Sequence, residues 1–312
     1  MSVNFADFYI NTILYTGFPP LTSGTPSIID RATANSLFEK LANAGIQFNY
    51  MQGNCHNRAH IICLLLVSYG VVPAKIWAFA PGIFTVDNPD LISIEDRNHI
   101  SPSGTIEWGY HVVPYVLVEE NGKLETMVFD HTIFKNGPVL FQSWLEKLHI
   151  PHLLTIEMDW EWYLYNTLPW NLNELYGEYI GSKNFPAPLV QQQSQYEVLT
   201  DMPMHDFFMY ELDSKENHWL EKGLAIDDTA YIFYKNEIQP IKNTPAVKSI
   251  LDDYYSLVGV IHNFETVFRD YSENEEVNLD FQQNHKKVIE KYRIVYNQQL
   301  NKWKKIVSEI AN

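Results

Sequence analysis

The feature that most constrains the fold is a mainly apolar helix, predicted at residues 55–69. Its sequence, CHNRAHIICLLLVSY, places apolar side chains around nearly the whole circumference and not on one face. Such a helix is stable only when neighbours bury it on every side. The longest apolar stretch, Ile61 to Val67, is far shorter than the roughly 20 residues that cross a bilayer. We therefore expect a central helix of a globular domain and no membrane span.

The segments on both sides of this helix predict a mixed α+β domain. Residues 30–45 combine capping residues, apolar positions at helical spacing and a terminal glycine, which predict a short amphipathic helix. Residues 73–80, PAKIWAFA, predict a strand, and residues 81–107 predict a long loop rich in Pro, Asp, Asn and Ser. Alternating apolar runs around Asn121 and Gly122 predict an antiparallel hairpin. The expected core is therefore a buried helix packed on an antiparallel sheet.

The second half of the chain is predicted to be mainly helical. Residues 138–148 predict a helix, and the aromatic residues 158–172 predict a strand or loop that closes the domain. The Pro- and Gln-rich residues 184–195 predict a linker, and helical periodicity follows at 245–271 and 284–311. The predicted division is an N-terminal extension (1–27), a central domain (28–175) and a mainly α-helical C-terminal region (176–312).

Composition and charge exclude several classes of protein. Apolar residues make up 46% of the chain and charged residues 19%, which is typical of a globular protein. The net charge of −16, with no cluster of Lys and Arg, would repel the phosphates of nucleic acid. The N-terminus has no basic segment ahead of its short apolar patch, so no secretory signal is predicted. We expect a cytoplasmic protein, or one exported as an effector by a route that needs no signal.

The chain has two cysteines, and only one of them is placed for chemistry. Eight residues separate Cys55 from Cys63, which on one helix is about 12 Å, too far for a disulfide. Cys63 lies inside the apolar run and is interpreted as a small buried hydrophobe. Cys55 begins the helix, where unpaired backbone N–H groups and the helix dipole favour a thiolate and could hold an oxyanion.

The predicted hairpin selects a partner for this cysteine among eleven histidines. Pairing Glu120 with Lys123 and continuing the ladder places His111 opposite Thr132. Asp130 then lies on the same face as His111 as its diagonal neighbour, roughly 7 to 8 Å away between Cα atoms. A carboxylate can reach an imidazole across that gap.

The same hairpin pairing excludes His131 as the partner of Cys55, and the register itself depends on Pro114. His131 faces the opposite side of the strand. Pro114 removes one ladder bond, so a bulge would change the pairing.

The order Cys, His, Asp is the general layout of papain-like and transglutaminase-like enzymes. The alternative is that Cys55 is a half-buried residue at a helix start and that His111 and Asp130 form a structural pair. On spacing alone the two interpretations are equally good. Four further side chains are candidates for binding substrate or an oxyanion: Gln52, Asn54, Trp108 and Tyr110.

Four segments of the chain resemble those of bacterial protein-glutaminases, which deamidate proteins and are related to transglutaminases. The segments are ATANSLFEKL, GNCHNRAHIICLLL, WGYHVVPYVLV and VFDHTIFKNGPV, in order from about residue 28 to 145. The strings C-x-x-R-A-H, which begins at Cys55, and W-x-Y-H, which ends at His111, are the most specific parts. Arg58 and His60 belong to the first string but are interpreted as structural, Arg58 by pairing with a carboxylate and His60 as a satisfied internal histidine.

The resemblance implies a function and a role for each residue. Cys55 would be the nucleophile, His111 the general base and acid, and Asp130 the residue that orients His111. The reaction would hydrolyse glutamine side-chain amides of a protein substrate through a thioester, with neither metal nor cofactor. Three alternatives stay open: a transglutaminase with the same triad, a cysteine protease with the same triad, and an inactive binding module.

Overall fold

The protein is described by a computed structural model. The model describes most of residues 24–148 and several later segments. The described residues are 24–79, 91–101, 103–108, 110–148, 154–161, 165–166, 198–199, 218–247, 260–261, 264–265, 267–268 and 282–310. The predicted linker at 184–195 and nearly all of the N-terminal extension lie outside these residues, as does most of the helix predicted at 245–271.

Helices and strands occur in separate runs along the chain, so the fold is mixed α+β. The helices are α1 (Arg31–Ala42), α2 (Cys55–Ser68), α3 (Phe141–Lys147), α4 (Trp219–Phe233) and α5 (Lys286–Ile310), and a π-helical turn (Tyr234–Ile238) follows α4. The strands are β1 (Ile28–Asp30), β2 (Ala74–Phe79), β3 (Ile92–Glu95), β4 (Thr105–Trp108), β5 (Tyr110–Glu120), β6 (Lys123–Val128), β7 (Val139–Leu140), β8 (Leu154–Asp159), β9 (Tyr165–Asn166) and β10 (Val198–Leu199).

The helix predicted at 30–45 is present as α1. The side chain of Asp30 caps it by accepting a hydrogen bond of 2.6 Å from the backbone N–H of Thr33. Gly45 has a φ of 79°, a left-handed conformation that glycine adopts without strain, and it follows the helix end. The apolar stripe of α1 faces the core: Ala34, Leu37, Phe38 and Leu41 are buried.

Among the described residues, six strands form one sheet in the order β7-β6-β5-β2-β8, with β1 added parallel to β5. All other pairs in this sheet are antiparallel. The hairpin of β5 and β6 has the predicted register from Glu120 opposite Lys123 to Tyr115 opposite Val128. The antiparallel core expected from the sequence is therefore present.

The predicted continuation of this ladder to His111 opposite Thr132 is wrong. His111 pairs with Ala78 of β2. The last link between the two segments is a 2.9 Å hydrogen bond from the N–H of Phe129 to the carbonyl of Pro114. Proline has no N–H with which to return that bond, so the pairing stops here and the chain leaves the sheet.

The prediction of a loop at 81–107 is also wrong in part. Residues 81–90 and 102 lie outside the described residues, but β3 and β4 within this stretch form an antiparallel hairpin. Ile92, Ile94, Ile106 and Trp108 alternate along these strands and are buried in one apolar cluster. This period-2 pattern was hidden by the polar composition of the whole stretch.

The segment predicted as a helix at 138–148 contains both a strand and a helix. Its first apolar residues form the short strand β7, which pairs with β6, and α3 begins only at Phe141. Of the aromatic segment 158–172, the first residues belong to β8 and residues 165–166 form β9; most of the rest lies outside the described residues.

Helix α2 is buried between the sheet and the C-terminal helices, as its sequence requires. One cluster of buried residues joins α1, α2, β5 and β6 to residues of α4 and α5, including Leu220, Leu224 and Trp303. Gly223 allows the close approach of α4, because a Cβ atom there would lie 2.2 Å from the Nδ2 atom of Asn57 on α2. Apolar residues of α5, which lies within the helical segment predicted at 284–311, pack partly into this cluster and partly into a second one. The C-terminal region therefore completes the core around α2.

Two further findings concern only the described residues. No helix among them is long and apolar enough to cross a membrane. No group of three or more His, Cys, Asp or Glu side chains among them is arranged to hold a metal ion.

Candidate active site

Cys55 is the first residue of α2, and the backbone before it has an uncommon conformation. Asn54 has a φ of 58°, in the left-handed region that few residues other than glycine adopt. Cys55 is partly exposed, whereas Cys63 on the same helix is buried. The thiol of Cys55 therefore lies at a helix N-terminus, on the side where the helix dipole is positive.

His111 and Asp130 form the predicted contact in the core of the molecule. The Nε2 atom of His111 lies 2.8 Å from Oδ2 of Asp130, and both side chains are 2% exposed. His111 comes from β5, while Asp130 lies just after β6 in the turn that begins where the ladder stops. The contact thus depends on the turn and not on the strand pairing that was used to predict it.

The Asp130 carboxylate accepts three hydrogen bonds besides the one from His111. The indole Nε1 of Trp144 donates to Oδ2 at 3.0 Å. The backbone N–H groups of Thr132 and Ile133 donate to Oδ1 at 3.0 and 3.1 Å. Bonds to the charged form hold a carboxylate ionised and fixed in place.

The pKa values of the pair move in opposite directions. Burial acts to lower the pKa of His111, but the charge and hydrogen bond of Asp130, with a smaller contribution from the Cys55 thiol, raise it to about 9. Burial acts to raise the pKa of Asp130, but His111, Trp144 and the backbone of Ile133 lower it below its ordinary value. At neutral pH the pair is therefore an imidazolium and a carboxylate.

Cys55 and His111 line one small cavity, together with Asp130. The second ring nitrogen of His111, Nδ1, is buried and has no hydrogen-bond partner in the described part of the chain. The Cys55 side chain is nevertheless near enough to raise the pKa of the ring. One ring nitrogen of His111 is thus held by a carboxylate, and the other is left to exchange a proton within the cavity.

The predicted aromatic candidates, Trp108 and Tyr110, both lie shortly before His111 in the sequence. The ring of Trp108 stacks on that of His111, with centroids 4.7 Å apart, and its Nε1 donates to the carbonyl of Met51 at 3.1 Å. The hydroxyl of Tyr110 lies 3.3 Å from Nδ1 of His56, the residue after Cys55. Trp108 therefore fixes one face of the imidazole, and Tyr110 lies beside the start of α2.

Gln52 and Asn54, the candidates for binding an oxyanion, differ in how their amides are used. The Oε1 atom of Gln52 accepts from the N–H of Met51 at 3.2 Å. Its Nε2 is buried without a partner among the described residues. The side-chain amide of Asn54 donates to Glu265. The amide nitrogen of Gln52 is thus not engaged by the described residues, while the amide of Asn54 is.

Arg58 and His60 have the structural contacts that were predicted for them. The guanidinium of Arg58 pairs with Asp227 of α4 at 3.2 Å, and both side chains are buried. Nδ1 of His60 lies 2.8 Å from Nζ of Lys75, and burial together with Lys75 lowers the pKa of His60 well below its ordinary value.

His131 lines the same small cavity as Cys55 and His111, but its ring is engaged by other residues. Its ring stacks between Phe38 and Phe48, with centroids 3.7 and 4.5 Å apart, and its Nε2 bonds the carbonyl of Phe38. Burial lowers the pKa of His131 to about 4, so this ring is neutral at physiological pH.

Three side chains that support the site were not predicted from the sequence. Trp144 binds Asp130, Asp227 binds Arg58, and Glu265 binds Asn54. Only Asp227 had a signal in the sequence, because a buried arginine needs a carboxylate partner. In the sequence, Trp144 is one of several apolar residues of a predicted helix. No local sequence pattern indicates a role for Glu265.

Comparison with known proteins gives the class to which this site belongs. Residues 34–148 match the family model described as glutaminase. Glutaminases are hydrolases that act on a carbon–nitrogen bond, so residues 34–148 fall in that class of enzyme. The matched residues make up less than half of the chain, and the match confirms the resemblance found in the sequence.

Solved structures and curated proteins were compared as well. The NMR structure of protein-glutaminase from Chryseobacterium proteolyticum is 21% identical, covers 45% of this chain and 77% of its own, and has a TM-score of 0.36. A crystal structure of pro-protein-glutaminase is 22% identical, covers 60% of this chain and 71% of its own, and has a TM-score of 0.37. A crystal structure of protein-glutaminase is 17% identical, covers 57% of this chain and 94% of its own, and has a TM-score of 0.37. Curated protein sequences gave no match.

Proposed function

We propose that this protein is a cysteine-dependent amidohydrolase that converts glutamine side chains of proteins to glutamate and releases ammonia. One observation carries the proposal: His111 is held by Asp130 at 2.8 Å and shares a cavity with Cys55 at the tip of α2. The glutaminase family of residues 34–148 supports the choice of a glutamine amide as the bond that is broken. The helix on an antiparallel sheet also supports a transglutaminase-like arrangement of the core.

The first half of the reaction forms a thioester. The sulfur of Cys55, stabilised by the positively charged ring of His111 and by the N-terminus of α2, attacks the carboxamide carbon of the substrate glutamine. Negative charge moves to the amide oxygen, where backbone N–H groups at the start of α2 and Nε2 of Gln52 are the candidate donors. His111 gives its proton to the amide nitrogen, the carbon–nitrogen bond breaks, and ammonia leaves.

The second half consumes water and restores the enzyme. His111, now neutral, takes a proton from a water molecule that attacks the thioester carbon. The carbon–sulfur bond breaks, glutamate is released, and the proton on His111 again stabilises the Cys55 sulfur. Asp130 stays ionised throughout, and its role is to hold Nε2–H of His111 and to stabilise the imidazolium.

The proposal is tested by identifying every product made from a casein-like protein substrate. We expect ammonia in amounts equal to the new glutamate residues found by mass spectrometry, with the substrate chain intact. An added primary amine separates hydrolysis from transamidation, since a transglutaminase would incorporate it. Amine incorporation in place of glutamate, peptide fragments, or the absence of all three products would overturn the proposal.

The contact between Trp144 and Asp130 gives a prediction about orientation. Trp144→Phe keeps most of the buried volume but removes the indole donor to Oδ2. Because a hydrogen bond to a charged group contributes about 1.5–3 kcal/mol, we expect kcat to fall by roughly 10-fold or more. Ammonia release under substrate saturation measures the change.

A matched control is the same substitution at Trp303, whose Nε1 also donates to a buried carboxylate, Asp228, at 2.8 Å. Trp303→Phe should lower the thermal midpoint and leave kcat unchanged. Equal kcat values for the two variants would contradict a role of Trp144 in orienting Asp130.

A further inference from the structure

The turn directly before Cys55 is held by acidic residues from the C-terminal region. The hydroxyl of Tyr50 donates to Oε2 of Glu265 at 2.7 Å. The side-chain amide of Asn54 donates to Oε1 of the same carboxylate. Glu265 is 4% exposed and Tyr50 is 1% exposed, so both bonds are shielded from water. One buried carboxylate thus connects both ends of the turn.

A second connection reaches the same turn through Arg58. Its Nη2 donates to the carbonyl of Gly53 at 2.7 Å, while Nη1 pairs with Oδ2 of Asp227 at 3.2 Å. Asp227 belongs to α4, and its carboxyl group holds the guanidinium that binds the turn. The Asn54 amide also interacts favourably with Asp227, so Asn54 lies between the two acids.

This arrangement is costly for folding, which argues against a role in packing alone. Burial raises the pKa of Asp227 well above its ordinary value, Arg58 opposes that rise, and the charge of Glu265 adds to it. Two buried acids beside each other destabilise the folded state unless their partners compensate. Such costs concentrate at functional sites.

The clamped turn contains the backbone conformation that needs support. Asn54 adopts a left-handed φ of 58° immediately before Cys55. Residues held in this region persist when surrounding contacts fix them. The contacts of Tyr50, Gly53 and Asn54 lead to Glu265 or Asp227. Trp108 adds a separate hydrogen bond to the carbonyl of Met51 in the same turn.

We propose that Asp227 and Glu265 are positioning residues for Cys55. They act through Arg58, Tyr50 and Asn54 to fix the turn that sets the cysteine against His111. The inference rests on the proposed function, in which Cys55 is the nucleophile. The described C-terminal segments that carry Asp227 and Glu265 are then a part of the catalytic unit.

The test compares two substitutions of Glu265 by two independent readouts. Glu265→Ala removes both acceptors, whereas Glu265→Gln keeps the shape and one carbonyl acceptor. We expect Glu265→Ala to lower kcat by about 10²-fold with KM changed by less than about twofold, because misplacing a reacting group by 1 Å has an effect of this size. The rate of Cys55 alkylation by iodoacetamide should fall as well, and Glu265→Gln should recover a large part of both.

Asp228 supplies the matched control. It is the next residue on α4 after Asp227 and is similarly buried, at 4% against 1% exposure. Its partners are Lys302 and Trp303 of α5, and not the turn. Asp228→Asn should lower the thermal midpoint while kcat and alkylation stay at the wild-type level.

The outcomes separate this inference from the proposed function. If Glu265→Ala and Glu265→Gln lose thermal stability but keep wild-type kcat and alkylation rates, as the control does, the positioning role is overturned. If the wild-type protein deamidates nothing, the proposed function fails, and the alkylation rates still decide whether Glu265 positions Cys55.

Discussion

Cys55→Ser is expected to lower ammonia release by at least about 10⁴-fold while the fold stays intact. A serine hydroxyl is a far weaker nucleophile than a thiolate, and the imidazolium of His111 cannot activate it by withdrawing a proton. Side-chain volume changes little, and Cys55 is only partly buried, so the stability of the protein should hold. Ammonia release measures the first effect and circular dichroism during heating measures the second.

Cys63 provides the control on the same helix. Burial raises the pKa of its thiol to about 12, so it does not ionise near neutral pH. Cys63→Ala should retain wild-type kcat and should lose stability through the small cavity that it leaves. Turnover that survives in Cys55→Ser but disappears in Cys63→Ala would reverse the assignment of the nucleophile.

Asp130→Asn is expected to reduce kcat by about 10⁴-fold, as loss of the orienting carboxylate does in related triads. The replacement keeps the shape of the side chain and the backbone bonds of the turn. An amide at this position favours the wrong tautomer of His111 and gives no charge to stabilise the imidazolium. Steady-state kinetics on a protein substrate would measure the loss.

The same variant should change the titration of His111. In the wild type the pKa of His111 is raised to about 9, and NMR of the ring should show protonation up to that pH. In Asp130→Asn the main opposing charge is gone, so burial acts to take the pKa below the ordinary value of 6.5. If the ring of His111 titrates below pH 6.5 in the wild type, the charged pair of His111 and Asp130 is contradicted.

The raised pKa also fixes the direction of a stability change with pH. Protonation of His111 stabilises the folded state fully below its ordinary pKa of 6.5, and this contribution is lost as the pH rises through about 9. The lowered pKa of Asp130 adds a contribution present above 3.8, which is lost as the pH falls through the lower folded-state value. Asp130→Asn should therefore destabilise the protein more at about pH 6 than at about pH 10 in urea unfolding.

Local sequence signals predicted the elements that carry the site. The capping residue Asp30, the buried circumference of α2 and the turn at Asn121 and Gly122 act over a few residues, and the structure contains all three. Pairing of His111 with Asp130 was predicted as well, but by a ladder that ends too early to make it. The turn after β6 makes the contact instead.

Contacts between distant parts of the chain could not be predicted in the same way. Arg58 and Asp227 are 169 residues apart, and Asn54 and Glu265 are 211 apart. Because a buried arginine needs charge compensation, an acidic partner for Arg58 could be predicted. The sequence around Arg58 does not indicate which acidic residue packs against it. The hairpin of β3 and β4 was not predicted for a different reason. Its four buried residues lie within a long segment whose other residues are mainly polar.

The late position of α4 in the chain has a consequence for biosynthesis. Asp227 leaves the ribosome 169 residues after Arg58, so the nascent cysteine helix emerges long before the partners that cover and anchor it. Because translation proceeds at about 5–20 residues per second, that interval lasts roughly 10 to 30 seconds. During it the thiol is present without its final geometry, so under the proposed function the growing polypeptide would not yet be active.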